Sequence, residues 1–599
     1  MKQLLLFVLI VVCFIGNISA QKDTVVVPGF YEAGKYGTLN EAIDKAKADG
    51  TINKTVFKLK HYEAYVLSRS IYMDHGQNLE IVAPKAGKDQ NGAPPQIMWT
   101  EEGIDRAYII QTYGDVIMKN VWVRYADFLG NQVSSSIAFE NQTAANDPEI
   151  GYFDGVLFDY APIGAEASGA VCVKADHFQG EFYNCFWRNN SDVHFRYYGR
   201  AVSFPYQSSG WHYDKLIFEN CTFSNLARIV MQEGNEYGSN IHINHCTLIN
   251  SIEWPWQSAG WLETASITNS IFVNPFMIGH RALDVCTASQ TYSDYEKGLC
   301  RPPGGGLING ITPVDSFGFK VNFTDFDRKL FIGNNVYMYQ DWLKKWFVDC
   351  PWAKAKIQAR LKVDIYNPSP MLGKAELDFI DSVDANGKKV FKTLNVDWST
   401  IFYEDPGFIV APTNLDTLKL FIEAKWNNNA DFNWAYMPNA GFKQQWPLPE
   451  NLAYTNAKYL TAAMGGFPLG DLNWFPDKKA AWAAQRNAEW ATINDWLTKG
   501  LVSVEEVPGV LPTEYELKQN FPNPFNPMTN IEYSIPVTGN VSLKVFNTLG
   551  QEVAVIVDGN HLAGSYVATF DGSRLASGVY MYRLESGNIA ITKKFVLMK

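Results

Sequence analysis

The chain has 599 residues, 47% of them hydrophobic, 14% aromatic and 19% charged, with a formal net charge of −11. That length exceeds one ordinary domain, although a solenoid can absorb many residues into one elongated core, so at least two units are expected. An acidic surface with a pI near 5.4 argues against nucleic acid and anionic membrane as partners; the aromatic content suits a large packed protein whose exposed rings could stack on sugars, core packing being the plainer use of any one ring.

Residues 1–20 carry Lys2, the apolar run Leu4 to Ile15 and the polar exit Asn17-Ile18-Ser19-Ala20, the pattern of a secretory signal peptide. Its removal takes Lys2 and moves the charge from −11 to −12. The run is shorter than the roughly 18 apolar residues a spanning helix needs, and no later stretch supplies them, so no transmembrane segment is expected. Cys13 follows Val12, where a lipoprotein signal needs a small residue. Seven of the eight cysteines remain in a compartment that permits disulfides, and an odd number forbids complete intramolecular pairing.

Next comes a helical pattern, with Leu39, Ala42, Ile43 and Ala46 at helix spacing after Gly37-Thr38 and a stop at Asp49-Gly50; such an amphipathic helix would cap the open end of a coil. Strands are expected at Val56 to Lys60, Leu79 to Val82 and Val116 to Val123. A repeat follows: Asn/Asp/His, small, any, large apolar, any, Asn/Asp. It runs as Asp154 to Asp159, Asn184 to Asn189, Asn220 to Asn225, His245 to Asn250 and Asn269 to Asn274, with starts 30, 36, 25 and 24 residues apart.

Positions two apart on a strand share a side, so Leu157, Trp187, Phe223, Leu248 and Phe272 are expected to stack inward, one per coil of a solenoid. The closing Asp159, Asn189, Asn225, Asn250 and Asn274 mark turns, where Asn tolerates left-handed backbone and stacked amides bond from coil to coil. Cys185, Cys221 and Cys246 would form an inward column with Gly155 and Ser270, read as buried thiols rather than a metal or redox site. Cys286 and Cys300, in a polar Gly-rich stretch, are the disulfide candidates; Cys172 and Cys350 stay undecided.

The cap helix, the strands after it and the Asn-ended coils resemble the pectin-lyase-type right-handed parallel β-helix over roughly residues 24–340. That fold hosts lyases, hydrolases, adhesins and tailspikes alike, so it names no activity. Lys374 to Leu377 and Leu418 to Ile422 read as strands of the last coils. Residues 470–498 read as helix with Trp482, Trp490 and Trp496, after a Leu469-Gly470-Asp471-Leu472-Asn473-Trp474 stretch that resembles a closing motif of surface β-helix proteins, and a C-terminal cap is the expected role.

All 18 tryptophans and all cysteines precede residue 497, and the acidic, Pro-containing Val502 to Pro512 marks a linker. Beyond it short alternating strands suggest a sandwich. Residues 514–599 resemble the type A sorting domain of the type IX secretion system, through Asn520-Phe521-Pro522-Asn523-Pro524-Phe525-Asn526-Pro527, Leu549-Gly550-Gln551-Glu552-Val553, Leu575-Ala576-Ser577-Gly578-Val579-Tyr580 and Lys593-Lys594-Phe595. The resemblance implies inner-membrane passage by the signal peptide, outer-membrane passage by recognition of this domain, and surface attachment or release after its removal, with the type IX machinery as partner.

The fold class expected is therefore all-β, a right-handed parallel β-helix followed by a small Ig-like β-sandwich. The plan is signal peptide 1–20, β-helix with N-terminal cap helix 21–425, helical or irregular cap 426–500, linker 501–513 and sorting domain 514–599.

For the β-helix, the Trp-Ile-Asp-His and Arg-x-Pro-x-x-Arg strings of pectate lyases and the Asn-Thr-Asp and Gly-His-Gly strings of polygalacturonases are absent. Segments after the Asn turns of successive coils should lie side by side. They carry His194, Arg196, Arg228, Glu233, His280 and Arg281 as candidate catalytic groups, and Arg200, Glu253, Trp254 and Trp256 as candidate substrate contacts. Cations, carboxylates and rings in one groove would suit an acidic polysaccharide; loop ion pairs and edge packing are the bland alternative. An uronate lyase needs a cation to neutralise the carboxylate and a base for the neighbouring proton, whereas a hydrolase, the runner-up, needs two carboxylates at a set separation. A noncatalytic surface adhesin or structural glycan-binding protein is the reading from another class. No metal ligand set is seen, and the cofactor is left undetermined, with calcium kept open.

Overall fold

A computed structural model describes residues 22–598 except 102–104, 142–148, 161–168, 191–198, 208–211, 235–236, 258–261, 282–304, 310, 312, 315–320, 359–365, 386, 428–435, 437–444, 500–503, 508–511, 513, 538, 562–563, 573–574 and 588. Residues 1–20, read above as a signal peptide, and the disulfide candidates Cys286 and Cys300 lie outside the described residues. The chain divides into two compact units, 1–497 and 498–599.

In the first unit the strands visit three sheets in turn. Leu79–Val82, Gln96–Trp99 and Tyr108–Thr112 belong to the first, second and third sheet, and Val116–Lys119 returns to the first beside Leu79–Val82. The sheets have 11, 10 and 8 described strands, and neighbours within them run parallel, as in Phe178–Tyr183 beside His212–Glu219. This is a parallel β-helix.

Its corners follow from residue type. Between first and second sheets the chain passes through left-handed backbone at Asn120, Gly155, Asn184, Asn220, His245, Asn269 and Asn334, and near the end of the second-sheet strand again at Tyr160, Asn189, Asn225, Asn250 and Asn274. Gly and Asn enter that region at least cost, so both ends of the repeat are corners. Amides stack there: Asn250 donates to Asn225 and Asn274 to Asn250, each at 3.0 Å.

The register places Trp187 on the rung beside Phe223, with Leu248 and Phe272 following; the Trp187 and Phe223 rings stack at 4.8 Å and 12°. The first copy needs a one-residue correction. Phe158, not Leu157, pairs with Trp187, and Tyr160, not Asp159, is the left-handed corner. Gly155 fills the corner that Asn184 fills one coil later, so Val156 rather than Gly155 precedes the thiols. A slip of one residue turns every side chain to the other face, and Asp154 imitates the opening Asn closely enough to hide it.

The thiols of Cys185, Cys221 and Cys246 reach the carbonyls of Phe153, Phe182 and Phe218 at 3.5, 3.3 and 3.5 Å. All three are buried free thiols, and Cys172 and Cys350 are buried as well; burial pushes the Cys185 and Cys246 thiols well up. Helix Thr38–Ala48 buries Leu39, Ile43 and Ala46 against the first coils. Lys374–Ile380 and Leu415–Trp426 are helices, not strands of the last coils. Leu418, Phe421, Ile422 and Trp426 recur at helix spacing and join the core, and Asn414 caps the second helix at the Thr417 amide; a short apolar run alone does not separate the two periods. The last described coil strands are Leu394–Val396 and Ile401–Phe402.

The stretch expected to close the end of the solenoid lies along its flank instead. Leu452, Tyr454, Tyr459 and Leu469 pack on the outward Ile249, Ile271, Val273 and Val336 of the second sheet. The Gly470 amide donates to the Asn269 carbonyl at 2.7 Å, and Thr222 and Asp471 bond at 2.6 Å. Helices Pro476–Ala483 and Arg486–Lys499 cross the first sheet, where Arg486 and Trp490 donate to Glu219 at 2.5 and 2.6 Å, and Trp496 packs on Phe331. This strap satisfies the outward polar groups of several coils at once.

In the second unit two antiparallel four-stranded sheets, Val504–Val507, Gly564–Asp571, Met528–Ile535, Glu516–Leu517 and Glu552–His561, Gly539–Phe546, Gly578–Ser586, Ile589–Leu597, enclose a separate core. Val504–Val507, within the stretch read as linker, is an edge strand of the first of these.

Burial raises the Asp471 carboxyl to about 7 from 3.8, against the opposing hydrogen bonds of Thr222 and Asn473 and the charge of Lys479. A carboxyl whose folded value lies above its unfolded value lends stability that is complete below the unfolded value and lost as pH rises through the folded one. Asp471→Asn, a neutral mimic of the protonated acid, is therefore expected to melt higher than wild type at about pH 8, with the difference closing toward about pH 4; thermal unfolding of both proteins across that window measures it, and a pH-independent difference would contradict it.

Candidate functional site

On the third sheet, strands Arg200–Gln207 and Arg228–Gly234 are neighbours, and Arg200 sits opposite Arg228. Both are buried, at 2% and 4% exposure. The Arg200 guanidinium donates to the Ser203 hydroxyl at 3.2 Å. Arg228 is ion-paired with Glu253, contacts Met231 Sδ, and lies 5.5 Å over the ring of Trp254; Trp254 in turn packs on Phe276 at 4.8 Å. These four residues of the expected groove therefore come together. Of the two cations, that of Arg228 is matched by the Glu253 carboxylate.

The others do not join them. Trp256 lies opposite Val230, faces the core at 1% exposure, and donates its indole N–H to Gln232 at 3.4 Å, so its ring offers no face to a sugar. His280 opens strand His280–Arg281, which pairs antiparallel with Tyr366–Asn367, and its Nδ1 is 3.0 Å from the Ser369 hydroxyl. Glu233 lies on strand Arg228–Gly234, but the side chains of Glu233 and Arg281, and all of His194 and Arg196, fall outside the described residues.

Three features escaped sequence reasoning. A polar hollow of about 450 Å³ is lined by Arg106, Asp127, Asn131, Gln132 and Ser134, in which the Asp127 carboxylate holds its own loop through the amides of Leu129 and Asn131. On the outer face of the second sheet, fully buried Arg188 is paired with Asp159 at 3.3 Å and with Glu450, which stands 262 residues further on; no local signal marks such a pair.

The third feature is a cluster at the entrance to the first sheet. Asp176 and His177 precede strand Phe178–Tyr183, and His212 and Asp214 begin His212–Glu219 one rung on. Donor atoms of Asp176, His177 and His212 lie within 4.8 Å of one another, an arrangement able to hold a metal ion. His212 follows Asp176 by 36 residues, the interval that separates Asn184 from Asn220, and that coincidence is the signal by which the sequence could have shown it.

In the second unit the motif residues divide by role. Asn520 is buried; its Nδ2 donates to Thr529 at 2.9 Å and to the Pro522 carbonyl at 3.1 Å, and its backbone amide donates to the Tyr582 hydroxyl at 2.9 Å. Phe525 packs against Phe595 and Phe570. Phe521 and Leu549, by contrast, are 80% and 81% exposed, so the packing does not account for them.

Residues 519–598 match the family described as secretion system C-terminal sorting domain. No curated protein and no solved structure matches the chain. The sorting domain makes this a client of the type IX secretion system, secreted and attached at the cell surface. Among the described residues no helix is long and apolar enough to cross a membrane. In a host with type IX machinery, removal of residues 514–599 is expected to leave the protein in the periplasm, read by cell fractionation and surface protease sensitivity. Phe525→Ala should cost about 3–5 kcal/mol, and Phe521→Ala, at an exposed position, no more than about 0.5 kcal/mol; unimpaired surface delivery of the truncated chain would contradict the assignment.

Proposed function

We propose that the β-helix of this surface protein binds or cleaves an acidic extracellular polysaccharide, a lyase being the enzymatic form and a glycoside hydrolase the runner-up. Supporting this reading is the placement of Arg200 and Arg228 on adjacent rungs of the third sheet with the Trp254 ring beside Arg228. Rungs recur at about 4.8 Å, so cations and a ring face follow one another along the flank at the scale of a polymer's repeating units. A uronate chain would be drawn by the guanidinium groups and would stack on the indole.

The pairing of Arg228 with Glu253 and its low exposure favour a second reading, a noncatalytic adhesin or structural glycan-binding protein. A lyase needs a cation available to a substrate carboxylate and a base poised at the adjacent carbon. With Glu253 already spent on Arg228, binding asks less of these side chains than catalysis does. The signal peptide at 1–20 completes the proposed route by carrying the chain across the inner membrane.

The test is the mature protein with a panel of uronate and neutral polysaccharides, with and without calcium, following ultraviolet absorbance for unsaturated product, reducing ends, and binding by calorimetry. A uronate polymer is expected to bind, and Arg228→Ala to weaken it at least about tenfold, the loss of one charge-assisted contact. Unsaturated product identifies a lyase, reducing ends alone a hydrolase, and binding without either the adhesin reading. No binding to any acidic glycan, or unchanged binding by Arg228→Ala, would overturn the proposal.

A further inference from the structure

The Asp176, His177, His212 and Asp214 cluster has a geometry that an ordinary surface ion pair does not require. Four groups from two successive coils converge. His212 Nδ1 is 3.0 Å from Asp176 Oδ1, and His177 Nε2 is 3.9 Å from Asp176 Oδ2. On the far side of both rings, Asp214 Oδ1 is 3.0 Å from His177 Nδ1 and 3.3 Å from His212 Nε2. Ligands at 2.0–2.1 Å around a tetrahedral ion stand about 3.4 Å apart; the two separations from Asp176 bracket that value, and all three donors lie within 4.8 Å of one another.

A neutral imidazole has one N–H and one lone pair. With the His177 Nδ1–H given to Asp214, its Nε2 presents a lone pair on the Asp176 side, and His212 presents one there through Nδ1 when its Nε2–H is turned to Asp214. A carboxylate that takes the far N–H of a ligating histidine, fixing its ring and raising its basicity, is also how metal-bound imidazoles are commonly held.

The backbone fixes the arrangement. The His212 amide donates to Asp176 Oδ1 at 2.9 Å and the His177 amide to the His212 carbonyl at 2.7 Å, with His177 in left-handed conformation. Tyr237, one coil further, stacks on the His212 ring at 4.7 Å and 5°, and Phe323 meets Tyr237 edge-on. His212 is thus held at 12% side-chain exposure, whereas Asp176 and His177 remain at 37%, so the cluster is rigid on one side and reachable from solvent on the other.

We propose that Asp176, His177 and His212 bind one divalent transition-metal ion of the zinc class, with Asp214 orienting both rings. Two imidazoles and one carboxylate suit zinc, whereas calcium takes oxygen ligands. Three protein ligands leave a coordination position for water or an anionic group. The ion would tie two successive coils together at the corner where the third sheet hands over to the first. The site stands apart from the Arg228 flank and does not depend on the glycan reading.

The test uses tag-free full chain, stripped with chelator, dialysed, and titrated with zinc chloride. One ion per chain is expected, unaffected by excess calcium chloride, and lost in the His177→Ala/His212→Ala double variant. Asp214→Asn should weaken it by roughly 10–100-fold. Cobalt chloride added to wild type should give visible ligand-field absorption that zinc displaces; this readout and Asp214→Asn decide the matter should the double variant not fold. Absence of a stoichiometric site, equal binding by a folded double variant, or displacement of the ion by calcium would overturn the proposal.

Discussion

The first unit depends on one constraint: in the five successive coils from Gly155 to Asn274 the backbone turns through left-handed conformation at the same two places while a large inward side chain lands on its predecessor. Phe158, Trp187 and Phe223 stack at 4.8 Å with nearly parallel rings, and Phe153, Phe182 and Phe218 form a second stack at 5.0 Å. Rings of one column meet those of the other edge-on, as Phe182 meets Trp187. No coil can bury these rings alone. The corners set the register, and the register brings the rings together.

A solenoid solves its interior and leaves its outer faces to be dealt with. Here Arg188, Glu219, Asn244 and His245 are outward-facing yet buried, because a later segment covers them and supplies Glu450, Arg486 and Glu489 as partners. Covered polar groups are costly unless paired, which ties docking of the strap to proper formation of the coils beneath it. The third sheet carries Arg200 and Arg228, and the corner leading from it to the first sheet carries the Asp176 and His212 cluster; the binding chemistry proposed for this protein falls on those two places.

The sequence was legible where signals repeat. The Asn corners and the inward column from Trp187 to Phe272 can be read directly, since each copy confirms the others. The first copy misleads because Gly155 replaces Asn and Asp154 imitates it. The runs at 374–377 and 418–422 mislead because four or five apolar-rich residues fit either period. The strap is invisible because its partners are far off, Asn244 and Glu489 being 245 residues apart. In the candidate groove, Trp254 and Trp256 look equivalent by spacing, yet Pro255 separates a loop ring from an inward strand residue. The sorting motifs were legible because packing requires Asn520 and Phe525, while the exposed Phe521 and Leu549 belong to the motifs without being accounted for by packing.

What reaches the cell surface is thus a parallel β-helix, exported by means of a sorting domain with a core of its own. The most direct measurement of its organising interaction is a double-mutant cycle between Trp187→Leu and Phe223→Leu, followed by denaturant unfolding. Rings in contact across adjoining coils should couple by about 0.5–1.5 kcal/mol, whereas additivity within about 0.3 kcal/mol would mean that these side chains do not meet and that the stacked-coil account is wrong.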